Sequence, residues 1–181
     1  MGKITLARID SRLANGNVVE DWCGKYGLKK VIIANDRTAP DPIRIEVMDL
    51  TVPDFIESTY LKVANVKDFL DKNEGEYFLL IENTGDLEKI IDSGAQITEV
   101  NVGVIHLSIG KKSLTELVAV DDEDMRIFEK IKNSGFKQYE NLLDILEKKI
   151  NNDSLSDLTK EVIIKGLGNI FNFKEFEDPI K

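Results

Sequence analysis

The sequence predicts an α/β fold, a three-layer α/β/α arrangement with a mainly parallel central sheet, followed by a helical C-terminal extension. Three observations carry that expectation. Short apolar and β-branched runs alternate with segments whose apolar residues recur at helical spacing, helix-start and helix-stop residues fall between them, and the strand signal ends near Gln138. The expected units are a domain over residues 1–138 and a helical extension over 139–181.

Lys3 to Ile9 reads as the first strand, and Val18, Val19, Trp22 and Tyr26 then lie on one face of a short helix. Lys29 to Ala34 is the second strand. Asp41 ahead of Pro42 supplies an N-cap and a first-turn proline, and Ile43, Val47 and Leu50 form the apolar stripe of the second helix. Thr59 to Ala64 reads as a third strand, Asn65 as the cap of a helix carrying Val66, Phe69 and Leu70, and Tyr77 to Ile81 as a fourth strand. Leu87, Ile90 and Ile91 mark a helix ended by Gly94 in left-handed conformation. Ile97 to Leu107 is a β-rich run broken by Gly103, and Leu114 to Val120 is another.

Asp121-Asp122-Glu123-Asp124 opens a helix carrying Ile127, Phe128 and Ile131. Acids there suit the positive end of a helix dipole, and the run reads as a solvent-facing helix start, not a metal site. Gly135 closes that helix. Leu142, Leu143, Leu146 and Ile150, then Leu155, Leu158, Val162, Leu167 and Ile170 beyond a polar joint at residues 151–154, are spaced for two helical segments. With Phe171, Phe173 and Phe176 at its end, this extension is expected to pack on the domain or on a second copy in a homo-oligomer.

The 181 residues carry 24 basic and 33 acidic side chains, a formal net charge of −9, with 42% apolar and 31% charged residues. That is the composition of a soluble globular chain. The acidic balance and the absence of a basic stripe exclude a nucleic-acid binder. A single Cys excludes a disulfide framework, a CxxC pair and a multi-Cys zinc site, and a single His excludes a multi-His metal site. No cofactor or metal is expected. No apolar run nears the roughly 20 residues of a membrane span, and Lys3 and Arg8 come too early for a signal peptide. A cytoplasmic chain with no direct membrane insertion is the expectation. Cys23, beside Trp22, reads as a small buried apolar residue.

In open α/β sheets ligands bind at the carboxyl edge of the strands, in loops that enter helix N-termini. The first such loop, Arg8-Ile9-Asp10-Ser11-Arg12-Leu13-Ala14-Asn15-Gly16-Asn17-Val18, holds two guanidiniums, a carboxylate and a glycine just before a helix. Two such guanidiniums can grip a phosphate bidentately, and Arg8, Asp10, Arg12, Gly16 and Asn17 are the candidate phosphate-binding residues. The alternative is a pair of surface arginines bonded to Asp10 and Glu20. Asp36, at the end of the second strand, is either a rim residue beside Arg12 or the cap of the Arg37-Thr38 turn.

The same loop resembles the active loop of the IIB components in the mannose/fructose/sorbose family of the sugar phosphotransferase system, whose pattern is R-I-D-D-R-L-I-H-G-Q-V. Trp22 falls where that family has its tryptophan. Residues 31–36 and 39–44 resemble its second strand and following helix start, residues 99–103 its V-N-V-G-G segment, and residues 120–124 its S-V-D-E-E-D segment. The likeness runs collinearly over residues 3 to 136. It implies a cytoplasmic phosphocarrier, charged on a loop histidine by a IIA-type phosphodonor protein and passing phosphate to a sugar through IIC and IID membrane subunits.

The family's phosphohistidine position falls on Asn15. An amide nitrogen has its lone pair delocalised into the carbonyl and cannot form a transferable phosphoramidate, as an imidazole nitrogen can. Ser11, Ala14, Asn17 and the single Gly103 also depart from the pattern, which favours natural divergence over a point substitution. The one histidine, His106, follows the strand from Glu99 and is expected near the same sheet edge, as a rim residue or as a relocated acceptor. Two function classes follow: a IIB-like subunit of a sugar-uptake system whose phosphotransfer is lost, or a non-catalytic relative that docks phosphotransferase partners or binds a small anion.

Overall fold

The computed structural model describes residues 1–15, 17–133 and 137–138. In chain order the elements are β1 (Lys3–Ile9), α1 (Val18–Tyr26), β2 (Lys30–Ala34), α2 (Pro42–Asp49), β3 (Glu57–Leu61), a 3-10 turn (Val63–Asn65), α3 (Val66–Lys72), β4 (Glu76–Ile81), α4 (Thr84–Asp92), β5 (Ile97–Val102), β6 (Lys112–Ser113), β7 (Ala119–Val120), α5 (Asp122–Asn133) and β8 (Lys137–Gln138). Six strands form one sheet in the order β3-β2-β4-β1-β5-β8, with every pairing parallel. β6 and β7 pair antiparallel as a separate ribbon.

Strand alternation divides the core into two layers. Ile32, Leu79 and Ile81 face α3, α4 and α5, where they meet Val66, Leu70, Leu87, Ile90, Ile127 and Phe128. Val31, Ile33, Phe78 and Leu80 face the other way, onto Val18, Val19, Trp22 and Cys23 of α1. In β1 the register shifts between Ile4 and Leu6. Ile4, Ala7 and Ile9 therefore join the first layer, while Leu6 joins the second and Arg8, two residues on, reaches the ring of Trp22.

Helix ends follow their local signals. Asp41 accepts hydrogen bonds from the backbone N–H groups of Ile43 (3.1 Å) and Arg44 (3.2 Å), with Pro42 at the first helical position. Gly94 takes φ = +79° just past α4, a left-handed conformation that glycine adopts without a Cβ clash. Asp124 and Asp121 exchange reciprocal bonds at the start of α5, each carboxylate accepting from the other's backbone N–H at 2.9–3.0 Å.

Several expectations change. The apolar stripe of α2 faces solvent, with Ile43, Val47 and Leu50 all exposed. The third strand starts at Glu57 and stops at Leu61, and Val63–Asn65 is a 3-10 turn. The run from Ile97 leaves the sheet after Val102, and Ile105 instead bridges Val118 of the segment before β7. Asp124 of the acidic run is buried, bonded to Thr84 Oγ1 (2.6 Å) and ion-paired with Lys111, so it ties the ribbon to α4 and α5. β8 is a strand that the sequence reading does not contain. Gly16, Gly135 and the extension over 139–181 lie outside the described residues. No helix among the described residues is long and apolar enough to cross a membrane.

Candidate functional site

The carboxyl edge of β1, β4 and β5 carries the site. Beyond β1 the backbone keeps pairing on both sides, Asp10 N–H donating to Ile81 O (2.8 Å) and Ser11 N–H to Val104 O (2.7 Å). The Ser11 hydroxyl accepts from His106 N–H at 3.3 Å. Leu13 N–H then closes a turn onto Asp10 O at 2.9 Å. Leu13 itself has φ = +56°, a left-handed conformation that costs an L-residue with a Cβ about 1–2 kcal/mol. Its side chain is buried in the layer under α1, and burial of a leucine contributes roughly 1.5–3 kcal/mol, enough to hold the turn.

Asp10 is fully buried and serves as the shared acceptor of two guanidiniums. Arg8 donates to its Oδ2 from Nη2 (3.1 Å) and Nε (3.3 Å). Arg12 donates from its backbone N–H and Nε to Oδ1 (both 3.0 Å) and from Nη2 to Oδ2 (3.0 Å). The two arginines are not equivalent. The Arg8 side chain is 2% exposed, and the Arg12 side chain 36%. Arg8 Nη1 donates to Asn101 Oδ1 at 2.6 Å, and its guanidinium carbon lies 5.1 Å from the Trp22 ring centroid. The picture of two guanidiniums facing a phosphate together is therefore revised: Arg8 lies beneath the site, and Arg12 reaches its surface.

Asn101 and Gly103, which the residue-by-residue reading did not single out as site residues, fix Arg8. Parallel register sets Asn101 opposite Arg8. A Cβ on Gly103 would stand 2.4 Å from Arg8 Cζ and Nη2, so only a glycine leaves room for the guanidinium. The visible signal is a polar Asn101 between Val100 and Val102, in the segment that resembles the family's V-N-V-G-G.

Asn15 and Asn17 are exposed at the entrance to α1, and the Asn17 side chain makes no capping bond. Asp36 is not beside Arg12, because β4 lies between β1 and β2. Its carboxylate accepts from Val63 N–H (2.8 Å) and pins the turn after β3. Glu82 takes the intervening place at the end of β4, accepting from Asn35 Nδ2 at 2.7 Å and pairing with Arg37. His106 is exposed and lines, with Arg12, Val104, Ser113, Glu116 and Leu117, a cavity of ≈ 290 Å³ under the ribbon. Cys23 is buried, and burial pushes its thiol up to about 12, so it stays protonated and inert.

This arrangement can hold an anion. Arg12, its side chain 36% exposed, brings guanidinium donors to the surface of a turn held from three strands, and such donors suit an anion. Comparison with known proteins agrees in fold and family. The family model of the PTS system sorbose subfamily IIB component matches residues 4–167. N-acetylgalactosamine-specific phosphotransferase enzyme IIB component 2 of Escherichia coli (strain K12) is 29% identical over 137 residues, 75% of this chain and 87% of that protein. The mannose-specific EIIAB component of the same strain is 31% identical over 137 residues, 74% of this chain, and the match spans only 42% of that longer protein. The crystal structure of the N-acetylgalactosamine-specific IIB component 1 from Escherichia coli superposes with a TM-score of 0.71 at 28% identity, over 76% of this chain and 92% of that one. With the family model covering most of its length, the chain belongs to the sorbose-subfamily IIB components of the phosphotransferase system.

Proposed function

We propose that the chain is the IIB-type subunit of a sugar-uptake phosphotransferase system in the cytoplasm, with a IIA-type phosphodonor and IIC and IID membrane subunits as partners. Its loop after β1 binds phosphate without becoming phosphorylated. What supports this reading is the Arg8, Asp10 and Arg12 cluster at the end of β1, followed by Asn15, which the resemblance sets at the position of the family's phosphohistidine. The cluster supplies charge for a phosphoryl group, and the asparagine amide supplies no nucleophile.

Intact-mass analysis after incubation with a phosphorylated IIA-type protein at neutral pH tests this. The wild-type chain gains no phosphate, and Asn15→His gains one. A phosphate adduct on the wild type overturns the reading. Inorganic phosphate binds the wild type, and Arg12→Ala loses that binding.

A second reading, a regulatory relative that docks phosphotransferase partners, is favoured by Leu107, Ile109 and Leu117, which stand exposed on the segment that walls the Arg12 cavity. Capture of a IIA-type protein by wild type and Asn15→His alike, with no phosphate on either, is its signature. A carrier that uses His106 instead would show an adduct lost in His106→Ala.

A further inference from the structure

The chain leaves the body of the molecule after Ile105 and returns to it at β6. This excursion over residues 106–111 forms one side of the Arg12 cavity, since His106 and Leu107 line it. Its tip touches little. Ile109 is fully exposed, and a Cβ on Gly110 would meet nothing within 4 Å. Lys111 N–H closes the turn onto Ser108 O at 3.0 Å, with Gly110 at φ = +90°. The excursion is held at its two feet. At one, His106 N–H donates to Ser11 Oγ, a long bond of 3.3 Å between neutral groups. At the other, the Lys111 ammonium pairs with Asp124 and lies 3.9 Å from the Asp121 carboxylate.

The second foot is the stronger. The Lys111 and Asp124 side chains are 17% and 5% exposed, so water screens the pair little. Asp124 also accepts from Thr84 Oγ1 of α4 at 2.6 Å and from Asp121 N–H at 3.0 Å. Burial by itself would raise this carboxyl, but the bonds from Lys111, Thr84 and Asp121 N–H outweigh it and hold it below the usual carboxylate range. Loss of the ammonium would leave a buried carboxylate without its counter-charge.

We propose that Asp124 is a positioning residue for the Arg12 cavity: acting through Lys111, it fixes the loop over 106–111 as a latched flap and so sets where His106 and Leu107 stand. The proposal concerns where that wall lies, not what the cavity binds, and is independent of the anion reading. With so little contact along the tip, the foot at Lys111 governs the foot at His106. Without the ion pair the flap swings between two fixed points. Ile105 keeps its backbone bonds to Leu117 O and Ala119 N–H, both 2.9 Å, and β6 keeps its pairing with β7.

Amide NMR relaxation on the full chain reads the effect at His106, the far end of the flap. In the wild type its order parameter is about 0.85, as in rigid backbone. Lys111→Met, which keeps the aliphatic stem and removes the charge, lowers it below about 0.6 while β1 and β4 stay rigid. Lys111→Arg restores it. Lys130→Met, which breaks other α4 to α5 ion pairs at Glu88 and Asp92, leaves His106 rigid. Insertion of a glycine pair after Gly110 spares Lys111 and Asp124 but slackens the tie between the feet, and it loosens His106 as Lys111→Met does. That variant carries the test if Lys111→Met does not fold. A rigid His106 in a folded Lys111→Met or in the insertion variant overturns the proposal, because the pair then serves only to cap α5. A loose His106 in the wild type, in a folded Lys111→Arg or in Lys130→Met overturns it too, since the latch would then not be what holds the flap.

Discussion

α1 and α2 follow the first two strands and start at the same sheet edge, and each has apolar residues at helical spacing, the stripe of α1 being the more sharply segregated, yet they end in opposite places. α1 buries Val18, Val19, Trp22 and Cys23 against the sheet, whereas α2 buries no residue fully and packs a partly buried Met48 against the same core. Caps do not explain the difference, because α2 has the better one, with Asp41 bonded to two backbone N–H groups, while Asn17 of α1 makes no side-chain bond. Position does. α1 crosses β1, β2 and β4, whose Leu6, Val31, Ile33, Phe78 and Leu80 face it. α2 connects β2 to β3, and β3 is the outermost strand, with none of its residues buried. An apolar stripe places a helix only where the sheet offers it a surface.

The contrast matters for the site, because the buried helix is also the floor beneath Arg8. Trp22 is 1% exposed and holds the Arg8 guanidinium over its ring. Trp22→Ala is expected to cost about 3–5 kcal/mol, as removal of a large buried side chain does, and to show it as a lower midpoint in urea. The same variant loses phosphate binding even where it remains folded, because Arg8 then lacks its platform. Full stability in Trp22→Ala would mean that α1 is no more anchored than α2.

A smaller change tests the link from the other side. Gly103→Ala puts a Cβ within 2.4–2.6 Å of three Arg8 guanidinium atoms. With Asp10, Asn101 and Trp22 around it, the guanidinium has no open direction, and overpacking of this kind costs about 1–3 kcal/mol. Thermal unfolding gives the cost, and phosphate affinity falls with it. No variant near α2 should couple stability to anion binding in this way.

What the sequence made legible follows from the same physics. Alternating runs and caps gave β1, α1, β2, α2, β4, α4 and α5 to within a few residues, since these are local signals. Arg8, Asp10 and Arg12 were visible by residue type and spacing. Their division of labour was not, because it rests on Asn101, 93 positions away, and on the register that sets the two side by side. The insertion of β4 between β1 and β2, which puts Glu82 where Asp36 was expected, is a matter of strand order that no local pattern encodes. The exposure of the α2 stripe has the same origin, an edge strand that only topology reveals.

Two variants on α2 set the lower end of the scale. Asp41→Ala removes the acceptor for Ile43 and Arg44 N–H and the partner of the Arg44 side chain, and a lost N-cap costs about 0.5–2 kcal/mol. Val47→Ser, on the exposed stripe, stays within about 0.5 kcal/mol of the wild type, because Val47 is 59% exposed and little apolar area returns to water. For an unassociated α2, the cap therefore outweighs the stripe, the reverse of α1, where the stripe outweighs the cap. Both are measured by urea unfolding at two protein concentrations. A Val47→Ser loss above 1 kcal/mol that grows with concentration would mean that the stripe is covered by a second copy, and the contrast between the helices would then hold only for the monomer.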